Sequence, residues 1–384
     1  MSATSDKSNE PRNAAPAHAT GVLTIDLDRI SANWRALAAL VRPAECGAVV
    51  KADAYGLGAA RIIPALVKAG CRTFFVATLE EAKAARALAP TATLYMLDGI
   101  VAGSAAAVRD AGVIPVLSTL REVTEWAALS SSRTDRLPAA LHVDTGLNRL
   151  GLSAADIQAL VMHVHGLDRL DVTLVMSHLA CADEPEHAKN AQQRAVFEQL
   201  APLLPRTARS LAASDGLMLG AAYHYDLVRP GYALYGGQAF GGGLTPVQPA
   251  VGLHVKILQV RDVVPGQTVG YSATWSPHEL SRIAVIAAGY ADGLFRHLSR
   301  ETGGGGGFVA LSGQLAPIVG RVSMDLITVD VTGITPAPQP GDLVEVLGPS
   351  ISIEAMGATA GTIGYEVLTS LGRRFHRIYL GGEA

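Results

Sequence analysis

Hydrophobic and polar positions alternate regularly along the chain from Gly21 onward. Between residues 28 and 41, apolar residues recur every three to four positions, which predicts an amphipathic helix with Asp28 as its N-cap. A second helix is predicted over Ala59–Lys68, where Gly70 follows as a C-terminal signal. Short apolar runs separate such stretches, so this part of the chain is predicted to alternate strands with helices.

Eight of the short runs are apolar at nearly every position. Strands of this kind are buried on both faces, as in a parallel sheet that helices cover. Eight such strands alternating with helices predict an α/β fold, a closed eight-stranded parallel (β/α) barrel rather than an open doubly wound sheet. The runs cover residues 47–50, 73–78, 93–97, 113–117, 140–144, 172–178, 209–214 and 226–236.

The pattern changes after the last of these runs. Segments rich in β-branched residues, with glycine and proline between them, predict a mainly β C-terminal domain, and helical patterning returns only at 353–371. We therefore divide the chain into a disordered tail over residues 1–20, a barrel over 21–245 and a β domain over 246–384. The strand at 23–26 precedes the first helix and is a candidate to pair with the β domain.

Composition and charge argue against several classes of function. The 31 basic and 34 acidic residues leave a formal net charge of −3, so binding of nucleic acid or of a membrane surface is not expected. The three cysteines form no CxxC pair, and the two histidines of HVH at 163–165 would face apart on a helix, so no metal site is expected. The N-terminus lacks the apolar segment of a secretory signal, which predicts a cytoplasmic protein.

Lys51 stands out among six lysines because the segment AVVKADAYG passes from a buried strand into a loop at this residue. A lysine there would project from the carboxyl-terminal rim of the barrel, where catalytic groups of this architecture lie. Desolvation lowers the pKa of an ammonium group, and the neutral amine can form a Schiff base with an aldehyde. From its position alone, Lys51 is equally well explained as a lysine that extends from a strand end into solvent.

A second group of residues favours phosphate binding. Tyr55 lies with two glycines in the loop after the lysine, Ser214 follows a late strand, and Arg229 and Gly231 follow the next one. Hydroxyl groups, glycine N–H groups and helix starts after the last two strands hold phosphate in many barrels. Each signal is weak alone, and it is their co-occurrence that indicates a phosphate site.

Eight motifs, in this order and spacing, give the sequence a specific resemblance. They are AVVKADAYG, VDTGLNRLG, SHLACADEPE, RPGYALYG, VGYSATW, GYADG, GRVSMD and IGYEVL. Through them, and over almost all of the chain from residue 21 to 380, the sequence resembles the alanine racemase family. That family has an eight-fold barrel followed by a β domain and uses pyridoxal 5′-phosphate (PLP). The resemblance implies a PLP-dependent racemase that interconverts L-alanine and D-alanine by two bases and supplies D-alanine for peptidoglycan.

The resemblance also implies roles for individual residues. Lys51 would bind the PLP aldehyde as a Schiff base and, once released, would act on one face of the substrate carbon. Tyr271 in VGYSATW would act on the opposite face, and His178 in SHLACAD would link this tyrosine to Arg229. Because a free tyrosine has a pKa near 10, its neighbours would have to favour the phenolate.

Further residues match cofactor-binding and substrate-binding positions of the family. Arg229 would donate to the pyridine nitrogen of PLP without protonating it, and Arg149 would lie near the cofactor's phenolic oxygen and the substrate. The Met324 backbone would meet the substrate carboxylate, and Tyr290 would line the inner entrance of the site. The residues matched to the cofactor phosphate are Tyr55, Ser214, Gly231, Tyr232 and Tyr365.

In the family, Tyr271, Tyr290 and Met324 reach the PLP of a partner subunit, so the resemblance implies a homodimer with shared active sites. Other assignments stay open: a racemase of another or broader set of small amino acids, or a related barrel-type PLP decarboxylase. The decarboxylase would normally bring a catalytic cysteine in its β domain, whereas all three cysteines here precede residue 182. A single-domain PLP carrier of the same superfamily would lack the β domain.

Three positions depart from the family pattern. His142 stands where the family often has a carbamylated lysine that pairs with the arginine matched by Arg149, so no carbamate is expected here. Leu57 replaces a histidine in the AYGLG segment, and Ala213 replaces an asparagine before the phosphate serine. These changes leave the main roles in place and alter the hydrogen bonds around them.

Overall fold

The computed structural model of the protein describes residues 15–130, 134–163, 166–238 and 246–382. Most of the tail predicted to be disordered, residues 1–14, lies outside the described residues. The chain divides into a barrel unit, residues 30–248, and a β unit, which combines the chain before residue 30 with residues from 249 onward. Within the described ranges, no helix combines the length and apolar character needed to cross a membrane.

The secondary structure alternates in the first part of the chain and is mainly β in the last. The strands are β1 (Gly21–Asp26), β2 (Glu45–Cys46), β3 (Ala48–Val49), β4 (Thr73–Val76), β5 (Thr93–Met96), β6 (Ile114–Leu117), β7 (Leu137–His142), β8 (Leu170–Met176), β9 (Ala208–Ser210), β10 (Leu227–Val228), β11 (Val251–Val263), β12 (Ser281–Ile286), β13 (Phe308–Leu311), β14 (Gln314–Pro317), β15 (Ile327–Asp330), β16 (Leu343–Leu347) and β17 (His376–Leu380). The helices are α1 (Leu27–Leu40), α2 (Lys51–Tyr55), α3 (Ala59–Ala69), α4 (Leu79–Leu88), α5 (Ala105–Asp110), α6 (Leu120–Ala127), α7 (Ala154–His163), α8 (Ala188–Leu200), α9 (Ile353–Ala360) and α10 (Gly364–Ser370).

The strands of the barrel unit form a closed parallel ring. From β3 to β9, each strand pairs in parallel with the next one in the chain. β10 pairs in parallel with β2, and the Arg229 N–H beyond β10 donates to the Ala212 carbonyl beyond β9 at 3.0 Å. On its other side, the Pro230 carbonyl accepts the Val49 N–H at 2.8 Å. The predicted eight-stranded (β/α) barrel is therefore confirmed, with β2 and β3 as two parts of one strand.

Burial and capping explain why the barrel elements form where they do. All residues of β4 are buried, as expected for a strand between the barrel interior and the surrounding helices. α4 and α6 each begin with a capping box, formed by Thr78 with Glu81 and by Thr119 with Glu122. In each box the threonine hydroxyl and the glutamate carboxylate accept backbone N–H groups that a helix start leaves without partners.

Two helix boundaries test the sequence predictions in detail. α3 ends before Gly70, whose φ of 114° is the left-handed conformation predicted for a C-terminal cap. The N-cap predicted for α1 is wrong, because the Asp26 carboxylate accepts the N–H of Arg29 at 2.9 Å and the helix begins before Asp28. The Asp28 carboxylate instead accepts the N–H of Gly382 at 3.1 Å.

The β unit is built on a mixed sheet that includes the first strand of the chain. Its order is β14-β13-β16-β11-β1-β17, with β12 paired to β11 and β15 paired to β12. β1 is antiparallel to β11 and parallel to β17, and alternate residues of β1 are buried against a core on one face. The helical region predicted at 353–371 is two helices, because Gly361, with φ of 73°, ends α9.

Candidate active site

Five of the predicted site residues follow the carboxyl-terminal ends of barrel strands. Lys51 follows β3, Arg149 follows β7, His178 follows β8, Ser214 follows β9 and Arg229 follows β10. In a parallel barrel these ends form one rim, whose loops carry the chemistry of the fold. The barrel unit therefore brings together residues that are far apart in the sequence.

Lys51 begins a backbone turn of unusual handedness. Residues 52–55, none of them glycine, have φ between 53° and 58°. Each non-glycine residue loses roughly 1–2 kcal/mol in this left-handed conformation, so surrounding contacts have to impose it. Gly56, with φ of 79°, closes the turn. Backbone strain of this kind concentrates at functional sites.

Arg229 is the buried cation of the barrel site, with 3% of its surface exposed. Its Nη2 donates to the Ser177 carbonyl at 2.6 Å and lies 3.5 Å from Nδ1 of His178, and its Nη1 donates to Ser210 Oγ. Desolvation lowers the pKa of Arg229 to about 9, so the guanidinium stays charged at neutral pH. These contacts fix the guanidinium beside His178.

Two histidines near these arginines are neutral at neutral pH. Burial, followed by the charges of Arg229 and Arg149, lowers the pKa of His178 to about 3. The same causes, in the same order, lower the pKa of His142 to about 4. Unlike the anionic carbamate of the family lysine, a neutral His142 offers Arg149 no opposite charge.

A small polar cradle lies after the last two barrel strands. Ser214 Oγ accepts the N–H of Gly231 at 3.0 Å and that of Ala233 at 3.2 Å, at the start of a 3-10 turn over Tyr232–Tyr235. A Cβ added to Gly231 would clash with the Tyr55 hydroxyl, and burial raises the pKa of Tyr55, so this hydroxyl keeps its proton. Hydroxyl groups and backbone N–H groups gathered at one place on the barrel rim suit a phosphate group.

In the β unit, the predicted residues Tyr271, Tyr290 and Met324 lie on connected segments. Two backbone hydrogen bonds of 3.0 Å join the segment that starts at Tyr290 to the one that contains Met324. Arg321 donates to Ser272 Oγ at 2.8 Å, directly after Tyr271. The three predicted side chains are 69%, 45% and 53% exposed in the single chain.

Arg374 connects two of these segments through carboxylates. Its guanidinium makes hydrogen bonds of 2.6 and 2.8 Å to the buried Asp292 and one of 2.7 Å to Asp325. Asp292 ends the short turn that begins at Tyr290, and Asp325 follows Met324. Hydrogen bonds to the two carboxylates raise the pKa of Arg374 above its usual value. The Arg374 guanidinium therefore links the segment that carries Tyr290 to the segment that carries Met324.

Two of the positions that depart from the family pattern belong to the surrounding scaffold. Leu57 is fully buried, and Ala213 pairs with Arg229 across the barrel closure. Tyr365 lies in the first turn of α10, in the β unit. In the part of the chain that the structure describes, no group of three or more His, Cys, Asp or Glu side chains is placed to hold a metal ion.

Glu81 and Gln193, both outside the predicted set, also contact the barrel site. Glu81 Oε1 accepts the N–H of Ala52, directly after the predicted lysine, at 2.8 Å. Gln193 is fully buried, and its side-chain amide donates to the His178 carbonyl at 3.0 Å. The Thr-x-x-Glu pattern at 78–81 is a capping signal that points to Glu81, whereas a glutamine inside a helix carries no comparable signal.

Fold and site together define an enzyme of the (β/α) barrel class, with a lysine and a polar cradle at its strand ends and a β unit after the barrel. The family model for the N-terminal domain of alanine racemase matches residues 25–239, and the model for its C-terminal domain matches residues 250–379. The chain belongs to the alanine racemase family.

Individual relatives match over nearly the whole chain. The alanine racemases of Methylobacterium sp. (strain 4-46) and Acidiphilium cryptum (strain JF-5) are each 48% identical to it, covering 93% of this chain and 97% and 98% of their own. A crystal structure of alanine racemase from Bartonella henselae with covalently bound pyridoxal phosphate aligns with a TM-score of 0.90 and 41% identity, over 94% of this chain and 100% of that one. Biosynthetic alanine racemase from Pseudomonas aeruginosa aligns with a TM-score of 0.86 and 32% identity, with the same coverage.

Proposed function

We propose that this chain is an isomerase that interconverts L-alanine and D-alanine with PLP as its cofactor, the reaction of the family to which it belongs. The observation that carries this proposal is the barrel site, where Lys51 and the cradle of Ser214 and Gly231 lie at the strand ends of a chain in this family. D-alanine made by it would supply peptidoglycan synthesis. We assign the enzyme to the cytoplasm, and its three free cysteines, two of them buried, suit a reducing compartment.

The residues of the barrel unit fit PLP. The hydroxyls of Ser214 and Tyr55 and the N–H of Gly231 would hold the phosphate, and the Lys51 amine would bind the aldehyde. Arg229 would donate a hydrogen bond to the ring nitrogen. When bound, PLP supplies an electron sink for the negative charge left on the α-carbon after proton removal.

Inversion at the α-carbon requires a group that removes a proton on one face and a group that returns one on the other. The Lys51 Nζ would serve the first face. The hydroxyl of the partner subunit's Tyr271 would serve the second, with the neutral His178 ring able to donate at one nitrogen and accept at the other. Because the charged Arg229 keeps its proton, negative charge would stay near the α-carbon, which favours return of a proton there.

The substrate's own groups are matched by residues of the two subunits. The Arg149 guanidinium of one chain and the backbone N–H of the partner subunit's Met324 would bind the substrate carboxylate, since an anionic group is best held by charged and N–H donors. Tyr290 would line the entrance and limit the size of the side chain that enters. Membership of the alanine racemase family supports a small amino acid as substrate, with alanine as the one we propose.

We propose that the active form is a homodimer with shared active sites. Tyr271, Tyr290 and Met324 support it, because two tyrosines and a methionine from connected segments are exposed in the single chain. Exposed apolar and aromatic groups that cluster in this way mark interaction surfaces. A two-fold pair would place the same surface of each copy against the other's site.

The first experiment identifies the cofactor and the reaction. Purified protein should show a visible absorbance band with PLP, and borohydride reduction followed by peptide mapping should place the label on Lys51. Circular dichroism should then show that L-alanine and D-alanine both lose optical activity. Protein that never takes up PLP, or that labels another lysine, would contradict the proposal, and release of carbon dioxide from basic amino acids would point to the decarboxylase.

The second experiment tests the opposite-face base and the shared site together. Tyr271→Phe should keep the absorbance band and suppress racemisation, and Lys51→Ala should lose both. If each site combines Lys51 of one chain with Tyr271 of the other, mixing the two inactive variants restores one intact site in every mixed dimer, about a quarter of wild-type activity. Mixtures that stay inactive, although exchange of subunits is verified, would exclude shared sites.

A further inference from the structure

We propose that Glu81 is the positioning residue of the lysine turn, the segment Lys51–Tyr55, and that it holds this turn in the conformation in which Lys51 meets PLP. The inference rests on the proposed function, in which Lys51 binds the cofactor aldehyde. Glu81 would act through the backbone of the turn and would not touch the reacting atoms.

Glu81 joins the ends of two adjacent barrel strands. Its Oε1 accepts the N–H of Ala52 at 2.8 Å, and its Oε2 accepts the N–H of Ala77 at 2.8 Å and lies 3.4 Å from that of Thr78. Ala52 lies just beyond β3 and Ala77 just beyond β4, and these two strands pair in parallel. One carboxylate therefore fastens the beginning of the lysine turn to the neighbouring strand.

The lysine turn needs such a restraint because its backbone is strained. Residues 52–55 are all left-handed without a glycine among them, a conformation that persists only where surrounding contacts impose it. The far end of the turn is held by the Asp53 carboxylate, which accepts the N–H of Ala59 at 2.8 Å. The near end, directly after Lys51, is held by Glu81.

Restraint of the turn translates into affinity for the cofactor. Only chains with a formed turn present Lys51 correctly, and apparent affinity falls in proportion to the fraction of competent chains. The charges around the turn agree with this placement: burial raises the pKa of Asp98, the charge of Lys51 opposes this rise and the charge of Glu81 adds to it. The Asp98 carboxylate therefore lies within electrostatic reach of both Lys51 and Glu81.

The barrel contains a matched control for Glu81. Glu122 also stands in a capping box after a parallel strand, where its Oε2 accepts the N–H groups of Ser118 at 2.7 Å and of Thr119 at 3.0 Å. Its Oε1 likewise reaches back to the loop after the preceding strand and accepts the N–H of Ile100 at 3.2 Å. The two glutamates thus accept the same pattern of backbone N–H groups, and Glu122 in addition lies 3.8 Å from the Arg121 guanidinium. Only Glu81 makes these contacts to the lysine turn.

The test compares Glu81→Gln with Glu122→Gln in the holoenzyme. A glutamine keeps the shape and one acceptor oxygen, so it can cap its helix while its NH2 group faces the far N–H. Glu81→Gln should weaken PLP binding at least fivefold, measured by equilibrium dialysis, and lower the borohydride label on Lys51 at limiting PLP. Saturating PLP should restore the borohydride label on Lys51. At limiting PLP, KM for alanine should change less than kcat. Glu122→Gln should keep PLP affinity within twofold.

Hydrogen exchange supplies a readout that does not depend on activity. Amide exchange in the peptide that covers residues 51–58 should be faster in Glu81→Gln than in Glu122→Gln. If Glu81→Gln does not fold, Glu81→Asp serves instead, because it keeps the charge and shortens the reach toward Ala52. Equal PLP affinity in wild type and in the Glu81 variants, or an equal loss in both glutamine variants, would overturn the positioning role. Wild-type protein without PLP on Lys51 would instead refute the proposed function.

Discussion

Replacing Gly231 by alanine tests the polar cradle with a single added methyl group. The φ of Gly231 is −129°, so the substitution does not put a side chain into the left-handed region that favours glycine, and the contacts of the added Cβ can be followed directly. The new Cβ would clash with the Tyr55 hydroxyl, lie 2.9 Å from its Cζ and lie 3.1 Å from Cβ of Val49. The tyrosine or the backbone at residue 231 has to move, and either movement changes the cradle.

The size of the effect follows from how tightly Tyr55 is held. Its side chain is 7% exposed, and its ring packs against that of Tyr235 with centroids 4.9 Å apart. Overpacking of a buried position costs about 1–3 kcal/mol. Because about 1.4 kcal/mol corresponds to a factor of ten in an equilibrium constant, PLP affinity should fall by roughly fivefold to 150-fold if binding requires the hydroxyl in its present place.

Equilibrium dialysis against PLP measures this loss, and Gly252→Ala provides the control. A Cβ at Gly252 meets no atom closer than 3.7 Å, so that variant should bind PLP as the wild type does. Tyr55→Phe removes the hydroxyl that clashes, and Gly231→Ala should therefore cost less in that background than in the wild type. Unchanged PLP affinity in Gly231→Ala would refute the assignment of the phosphate to this cradle.

Three further predictions concern charge. Urea denaturation should show that the free energy of unfolding falls as the pH drops from about 6.5 toward 4. The lowered pKa values keep His142 and His178 unprotonated in the folded state, whereas both bind protons in the unfolded state over this range. His142→Asn should remove on the order of 3 kcal/mol of that loss. The same fall in the free energy of unfolding in this variant as in the wild type would contradict the prediction. Arg374→Ala should reduce kcat/KM for alanine about 100-fold and keep PLP affinity within twofold, since the buried Asp292 carboxylate loses both hydrogen bonds from the guanidinium and keeps the one from the Gly289 N–H. Arg229→Lys should make racemisation decline as the pH rises through the neutral range. Burial lowers the pKa of Arg229 to about 9, and the ordinary pKa of a lysine ammonium group is lower than that of a guanidinium, so a lysine here would lose its charge. A pH–rate profile parallel to that of the wild type would count against this.

The barrel could be predicted because its signals are local. Runs such as 73–78 are apolar on both faces, and the structure places β4 within that run. Gly70 ends α3 through a left-handed conformation that glycine adopts at little cost. The pairing of β1 with strands of the β unit was anticipated, but its register was beyond such signals, because Gly21 pairs with Val255 and a local pattern does not choose a partner residue so distant in the chain.

The positions of the site residues could be predicted from the sequence, whereas their backbone conformation and protonation states could not. Residues within the motifs, such as Lys51 and Arg229, are placed at strand ends as expected. The left-handed turn over residues 52–55 contradicts the local preference of its residues, so it has to come from tertiary contacts such as the one to Glu81. The neutral state of His142 likewise depends on burial and on neighbouring arginines, which sequence spacing does not reveal.

The charges of the barrel site favour an anionic ligand independently of the motifs. Arg229, Arg149 and Lys51 all act to lower the pKa of His178, so the charges of three cationic side chains reach this neutral ring, with Arg229 the one in contact with it. A further positive charge there would be repelled by all three. A phosphate or a carboxylate would be attracted by them, and more strongly where burial has removed the screening water. A cofactor that carries a phosphate and a substrate that carries a carboxylate complement the same cations, so the electrostatics of the barrel unit support the proposed reaction.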